Sequence, residues 1–411
     1  MLDDDTKTPA GRFAAFSSPG YRAYWIALML NGFAVQIQTV AVGWYVYDLT
    51  ANPLDLGLVG LSQFAPALLL VLVTGSVADR FSRRGLMAVS LAAEAVTAGV
   101  LLTVTTLGLA TPLPIFFAMA LFGVARAFYN PARQSIVPNL VPGAHLANAI
   151  AANSTASQFA TICGPVAGGL LYAIGPNYAY GTTVILLIIS SLVVLFGVPR
   201  QGRPGSRGPA GWDTLSAGFR YIWTRKPILG AISLDLFAVL FGGAMALLPV
   251  YARDILDVGP EGLGLLRAGP AIGAIIMGVL FMMRPIRNHA GIIMFIAVAG
   301  FGVATFVFAL SDTLWLSVAM LVLIGGFDMI SVNIRSILIQ LWTPDDVRGR
   351  VLAVNQVFIG ASNELGAFRA GVMAIWIGPV AAVALGGAVI LGVAGVWAAL
   401  FPQLRDVKRL R

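Results

Sequence analysis

"RQSIVPNLVPGAHLANAIAANS", residues 133–154, returns 202 residues later as "RSILIQLWTPDDVRGRVLAVNQ", residues 335–356. At that offset Arg133 matches Arg335, Pro142 matches Pro344, and Asn153 matches Asn355. Gly164 then matches Gly366, and Gly169 matches Gly371. Near the start of each copy the offset is about 204, which pairs Pro66 with Pro270. A repeat this long means a fold assembled from two copies of one unit. In membrane transporters such parallel repeats place the substrate between the two copies, near the middle of the bilayer.

The composition says what solvent the repeat lives in. Of 411 residues, 58% are hydrophobic and 11% are charged. A soluble domain carries about 25% charged residues, so this chain cannot clothe a water-facing surface. Twelve apolar segments follow one another, near 22–48, 54–78, 85–108, 112–138, 146–174, 178–199, 226–252, 260–283, 290–310, 313–341, 349–376 and 378–401. Each suffices to cross about 30 Å of hydrocarbon as a helix of roughly 20 residues. The expected fold is an all-α membrane protein of twelve helices in two pseudo-symmetric six-helix bundles.

An even number of spans puts both ends of the chain on one side. Nearly all of the 26 lysines and arginines fall on that side, among them Arg12, Arg22, Arg200, Arg220, Arg405 and Lys408. Arg253 and Arg267 lie towards the other side, and Arg126 and Arg369 lie within spans. The positive-inside rule then predicts cytoplasmic termini, and the +8 net charge needs no nucleic-acid partner to explain it. The expected divisions are a cytoplasmic tail (1–21), a first bundle (22–199), a linker (200–225), a second bundle (226–402) and a tail (403–411). The linker begins with "RQGRPGSRGPAG", rich in Gly, Pro and Arg, a composition for flexible chain. Leu215, Phe219, Ile222 and Trp223 then recur at helical spacing, which predicts a short amphipathic helix on the inner membrane surface. The polar stretch at 1–20 lacks a signal-peptide core, so the first span is expected to remain as an anchor.

Between the second and third spans stands "GSVADRFSRRG", Gly75 to Gly85. Gly75 permits close helix approach, Asp79 suits a neighbouring helix N-terminus, and Arg80, Arg83 and Arg84 add cytoplasmic charge. The pattern G-x-x-x-D-R-x-x-R-R resembles the loop signature of the major facilitator superfamily. That resemblance implies a cytoplasmic gate formed by Gly75, Asp79, Arg80, Arg83 and Arg84. The corresponding "GVLFMMRPIRN", Gly278 to Asn288, lacks the acid, so the gate is expected to be one-sided. "GWYVYDLTANPLDLGLVGLSQFAPALLL", "ARAFYNPARQSIVPNLVP", "RGRVLAVNQVFIGASNELG" and "LFPQLR" further resemble the enterobactin-exporter branch, with macrolide efflux pumps more distant. The resemblance covers nearly the whole chain and implies export driven by proton entry.

Ionisable residues inside a membrane are functional candidates, because an unpaired charge there costs several kcal/mol. Arg126, in "LFGVARAFYNPARQS", lies mid-span in the fourth helix; adding 202 gives Asp328, mid-span in the tenth. Spans 1, 4, 7 and 10 line the cavity of this architecture. Arg126 and Asp328 are therefore expected either to face one another across it or to pair locally within their own bundles. Asp235 lies roughly 13 Å into span 7, at about 1.5 Å per residue, opposite Asn31 in the repeat. It suits either a proton carrier or a helix-packing hydrogen bond. Glu364 in span 11 suits a bond to span 2 or proton uptake. Glu94 is expected to be structural, and Asp48 to sit at the rim. Asn31, Gln36, Asn130 and Asn333, with Trp44, Phe128 and Tyr129, are the candidate substrate contacts, the aromatics competing with ordinary packing roles.

Cys163 is the sole cysteine, and His145 and His289 fall in expected loops, so neither a disulfide nor a His/Cys metal site is expected. No G-x-S-x-G, nucleotide loop or metal cluster occurs, which disfavours an enzyme, and no cofactor is expected. The sequence thus predicts a monomeric secondary transporter of the bacterial cytoplasmic membrane, moving a siderophore-like or drug-like amphiphile against protons. Uptake or lipid flipping by the same fold, or a receptor that has lost transport, are the competing readings.

Overall fold

The structure is a computed structural model that describes residues 13–200, 212–284 and 288–407. Within helices, the side chains of 71–73, 75, 76, 78–80, 212–215, 345 and 346 lie outside the description. The first bundle comprises α1 (Pro19–Thr50), α2 (Pro53–Arg80), α3 (Arg83–Thr106), α4 (Pro112–Ile136), α5 (Leu146–Ile174) and α6 (Pro176–Gly197). A linker helix, Trp212–Thr224, leads to α7, which begins as Lys226–Gly242 and resumes after a break. The second bundle continues with α8 (Gly259–Met283), α9 (Ala290–Ala309), α10 (Leu314–Trp342), α11 (Asp345–Ile377) and α12 (Pro379–Leu400).

Local chemistry sets the helix ends. Proline occupies the first turn of α1, α2, α4, α6, α8 and α12, where its missing N–H costs nothing. The Asn52 side chain accepts from the Leu54 N–H at 3.1 Å, and Ser82 accepts from the Gly85 N–H at 3.2 Å; both are N-caps. Eleven helices are long and apolar enough to cross a membrane among the described residues. The exception is α11, whose most apolar part contains Asn363, Glu364 and Arg369. It is nonetheless continuous over 33 residues. Its neighbours and its polar partners hold it in place.

Within the first bundle α1 packs on α5 and α6, α2 on α4, and α3 on α4 and α6. In the second, α7 packs on α11 and α12, α8 on α10, and α9 on α10 and α12. The repeat is visible in the tightest contacts. Gly123 of α4 meets the backbone carbonyl of Gln63 of α2, and its counterpart Gly325 of α10 meets that of Pro270 of α8. A methyl group at either position would enter the facing backbone.

The bundles touch along two seams, α2 on α11 and α5 on α8. At Gly371 an added Cβ would lie 2.7 Å from the Pro53 carbonyl, and at Gly57 it would lie 2.8 Å from Phe368 Cα. The matching seam brings Gly169 onto Pro260 and Gly264 onto Pro165. All four glycines lie in the half of the molecule away from the chain ends. Small residues let helix backbones approach where lipid offers no hydrophobic drive. Large apolar side chains such as Leu69, Phe196, Trp315 and Trp376 are exposed around the outside, as a lipid-facing belt requires.

The linker helix lies against α11 and the start of α7. Ile222 is buried with Ile228, Ile232, Ile339, Val351 and Val354, while Phe219 and Trp223 stack on one another and stay exposed. One face of this helix is therefore anchored to the second bundle and the other is free for the membrane surface.

Candidate functional site

The sequence "AVLFGGAMALLPVY" in span 7 reads as one apolar helix, but the structure breaks it. Gly243 adopts φ 40°, a left-handed conformation that favours glycine. Residues 244–247 follow as a 3-10 turn, and a π-helical turn occupies Tyr251–Ile255. A break inside a membrane frees carbonyls that nothing in lipid can satisfy. Arg369 of α11 satisfies them: its Nε donates to the Leu240 carbonyl at 3.0 Å and a terminal nitrogen to the Phe241 carbonyl at 2.7 Å. The guanidinium also lies over the Phe241 ring, 5.3 Å from its centre.

The unwound segment lines a cavity of about 230 Å³. Its polar wall is Asp235, Asp328, Arg335 and Asn363, and its apolar wall includes Met245, Phe301 and Ile324. Asp235 and Arg335 form a direct ion pair with both side chains almost wholly buried. Such a pair offsets much of the cost of burying its two charges. Asp328 lies two helical turns before Arg335 on the same face of α10. It is partly exposed to the cavity, and it makes no hydrogen bond or ion pair among the described residues. The second bundle thus holds one neutralised carboxylate and one free carboxylate side by side.

The first bundle answers with different chemistry. Asn31 of α1 donates its amide to Oε2 of Glu94 of α3 at 2.9 Å, and Glu94 is entirely buried. Its other oxygen has no partner. Arg126 is the cation near enough to interact with Glu94. It also lies over the Phe122 ring at 5.7 Å, with one terminal nitrogen buried and unbonded. Arg133 lines a separate hollow near the chain ends with Tyr24, Gln134, Asn153 and Ser157.

Two arrangements are expected for Arg126 and Asp328, meeting across the cavity or pairing within their own bundles, and the charges that act on Glu94 and Asp328 here belong to their own bundles. Each charge has its nearest charged neighbours in its own bundle: Glu94 for Arg126, and the Asp235–Arg335 pair for Asp328. Matching depth in a repeat does not by itself bring two side chains together. Glu364 does reach span 2, lying against Gly60 without a hydrogen bond. Tyr129 is core, 1% exposed, and does not face the cavity. Trp44 packs on Tyr172 between α1 and α5, and the Gln36 stem lies over Gly164. Asn130, Phe128 and Asn333 are half-buried and line none of the cavities described here. In the loop motif, Arg83 and Arg84 begin α3, and Arg84 donates to the Val198 carbonyl at 3.1 Å. The side chains of Gly75, Asp79 and Arg80 lie outside the described residues.

The contacts that sequence reasoning missed, made by Tyr47, Arg253 and Asp254 and by the rim residue Asp48, lie at the end away from the termini. Tyr47 donates its hydroxyl to Asp254, Arg253 meets Asp48 at 3.3 Å, and Arg253 also donates to the Tyr47 carbonyl at 3.0 Å. These contacts bridge α1 to the π-helical turn of α7 and so tie the two bundles together at that end. Tyr47, Asp48, Arg253 and Asp254 all sit at expected span ends, and nothing in their spacing announces the pairing.

Residues 10–410 match the family described as transmembrane secretion effector. Among curated relatives, the enterobactin exporter EntS of Escherichia coli is 25% identical over 408 residues, covering 96% of this chain and 94% of that one. The uncharacterized MFS-type transporter YfiS of Bacillus subtilis is 25% identical over 356 residues, covering 81% of each. Among solved structures, an inward-facing, unoccupied bacterial homolog of the human lysosomal transporter Spinster superposes with a TM-score of 0.70 at 15% identity, covering 97% of this chain and 98% of that one. The nucleoside transporter NupG gives 0.68 at 16% identity, covering 93% and 98%. With its paired six-helix bundles, its helix broken at a charged cavity and a family match along almost its entire length, the chain belongs to the transmembrane secretion effector family of major facilitator transporters, multi-pass membrane proteins and not enzymes.

Proposed function

We propose that this protein exports an amphiphilic small molecule from the cytoplasm in exchange for protons, by alternating access between its two bundles. The observation that carries the reading is Asp328, a carboxylate with no hydrogen bond or ion pair among the described residues, facing the cavity beside a broken helix. A carboxylate held there can bind a proton in one state and release it in another, and the adjacent Asp235–Arg335 pair gives it a neighbour whose charges rearrange with it. The apolar wall of Met245, Phe301 and Ile324 suits the greasy part of an amphiphile. Family likeness to an enterobactin exporter supports outward transport and a siderophore-like or drug-like cargo.

In this reading the bundles 22–199 and 226–402 rock as units about the two glycine seams, with the termini and the linker in the cytoplasm of a bacterial cell and the protein working as a monomer. The GSVADRFSRRG loop closes the cytoplasmic end when the other end opens. Asp235 and Glu364 are auxiliary proton sites.

The test is transport into inverted membrane vesicles under an imposed pH gradient, with catecholate siderophores and macrolides as the panel. Gradient-dependent accumulation by the wild-type protein, reduced to background in Asp328→Asn, is the expected result. Undiminished gradient-driven transport by Asp328→Asn would remove the coupling role. A folded protein that moves nothing in the panel would return the receptor reading, and accumulation only in right-side-out vesicles would return uptake.

A further inference from the structure

Arg267 is the one membrane-embedded arginine of the second bundle with neither an ion pair nor a hydrogen bond among the described residues. Arg335 has Asp235, Arg369 has two carbonyls, and Arg253 has Asp48. The Nε of Arg267 is buried and unbonded. The guanidinium nevertheless has a definite place. One terminal nitrogen reaches α1, where a Cβ on Gly43 would lie 3.4 Å from it, and Pro249 of α7 lies 3.5 Å from the same point. The side chain therefore crosses from one bundle to the other.

Its position along the helix fixes what lies on either side. Pro270 lines the cavity that holds Asp328 and Asp235. Arg267 lies one turn from Pro270 on α8, beyond the cavity's lining and towards the end where Tyr47 meets Asp254. On α1, Gly43 lies one turn below Tyr47, whose hydroxyl bonds Asp254 in the bridge that ties the bundles together at that end. Arg267 thus stands between the level of the cavity and the Tyr47–Asp254 bridge.

A guanidinium has five donors and no acceptor, arranged as a planar fork that matches carboxylate and phosphate groups. Membranes tolerate such a group where it serves a pathway or a ligand. The geometry points to Arg267 as the anchor for an acidic group, a carboxylate or a phosphate, carried by the transported molecule. The inference rests on the transport reading above and narrows its cargo to amphiphiles bearing an acid. Gly43 marks the face of α1 that the guanidinium meets, since a Cβ there would be in ordinary van der Waals contact with it. The acid would lie between the bundles under the Tyr47–Asp254 bridge, while the apolar body extends down to Phe301 and Ile324. A ligand held there touches both bundles and so can report its presence to the gate.

The test is binding to the full-length protein in nanodiscs, with no pH gradient, using 1-naphthaleneacetic acid and its uncharged amide as a matched pair. The wild-type protein is expected to bind the acid at least about tenfold more tightly than the amide, which corresponds to about 1.4 kcal/mol. Arg267→Gln brings the two within about twofold, and Arg267→Lys retains part of the preference because it keeps the charge without the fork. A second neutral variant, Arg267→Met, stands in if the glutamine does not fold. Equal binding of acid and amide by the wild type, binding of neither, or a preserved preference in the neutral variant would overturn the proposal. Loss of gradient-driven transport with the preference intact would count against proton coupling alone, so the two readings fail separately.

Discussion

The two bundles place different charges at equivalent positions. Arg126 stands where the second bundle has Asp328, Asn31 where it has Asp235, and Arg133 where it has Arg335. The first bundle draws its carboxylate from a third helix, as Glu94 on α3 bonds Asn31. The second has two carboxylates on its cavity-lining helices and no ionisable residue on α9. Glu94 is wholly buried with its charge neighbours around it, whereas Asp328 faces open space. Duplication supplied one framework. Divergence left one copy as a packed polar core and turned the other into a cavity with a free acid. The break in α7 belongs to the same divergence, since α1 runs unbroken from Pro19 to Thr50.

The comparison can be broken most severely at Arg335. Replacing it with glutamine leaves Asp235 buried without a counter-charge and is expected to cost about 3–5 kcal/mol, read as a lower unfolding midpoint in detergent. The double variant Arg335→Gln/Asp235→Asn should recover most of that loss, because it removes both charges together. Additive losses would mean that the pair is not coupled. Arg369→Gln comes next. It strands the Leu240 and Phe241 carbonyls at the helix break, with an expected cost of about 2 kcal/mol, and no equivalent change in the intact α1 should match it.

A smaller change in stability with a larger change in shape is expected from Arg253→Gln. Its partner Asp48 is half exposed, so the pair adds no more than about 1 kcal/mol. Its loss should nevertheless shift the population towards opening at that end. Spin labels at Leu109 and Asp312, in a Cys163→Ser background, read the opening as longer distances, and an unchanged distance distribution would remove Arg253 from the gate. The smallest effect belongs to Glu94→Gln. The amide oxygen still accepts from Asn31, so about 1 kcal/mol or less is expected, with gradient-driven transport within about twofold of wild type. A loss as deep as that of Asp328→Asn would erase the distinction between the bundles.

The helices were legible because hydropathy and capping act locally. The expected start of the fourth span at 112 coincides with Pro112 of α4, and the expected spans at 146 and 290 open α5 and α9 at the same residues. The glycines at 169 and 371, singled out by the repeat, do sit at close seams. The site was less legible. Glu94 reads as structural from its place on a third helix, and only packing reveals that it supplies the carboxylate that α1 lacks. Arg267 reads as a charge near the outer boundary, and only the approach of Gly43 and Pro249 shows that it reaches between bundles. The α7 break carried one local hint, the Gly242–Gly243 pair, inside a run apolar enough to hide it.

By itself the sequence determined that the chain crosses a membrane many times and that it does so as two related units. Those properties follow from one-dimensional patterns: the cost of burying a charge, the length of a bilayer and the period of a repeat. The tertiary structure decided which charges meet. A side chain's partner depends on helix rotation, tilt and the gap between bundles, none of which a residue offset encodes. Arg126 and Asp328 share a depth and still have their charged neighbours in separate bundles, because electrostatic attraction is strong only over a few ångströms and a shared depth does not set the distance between two helices.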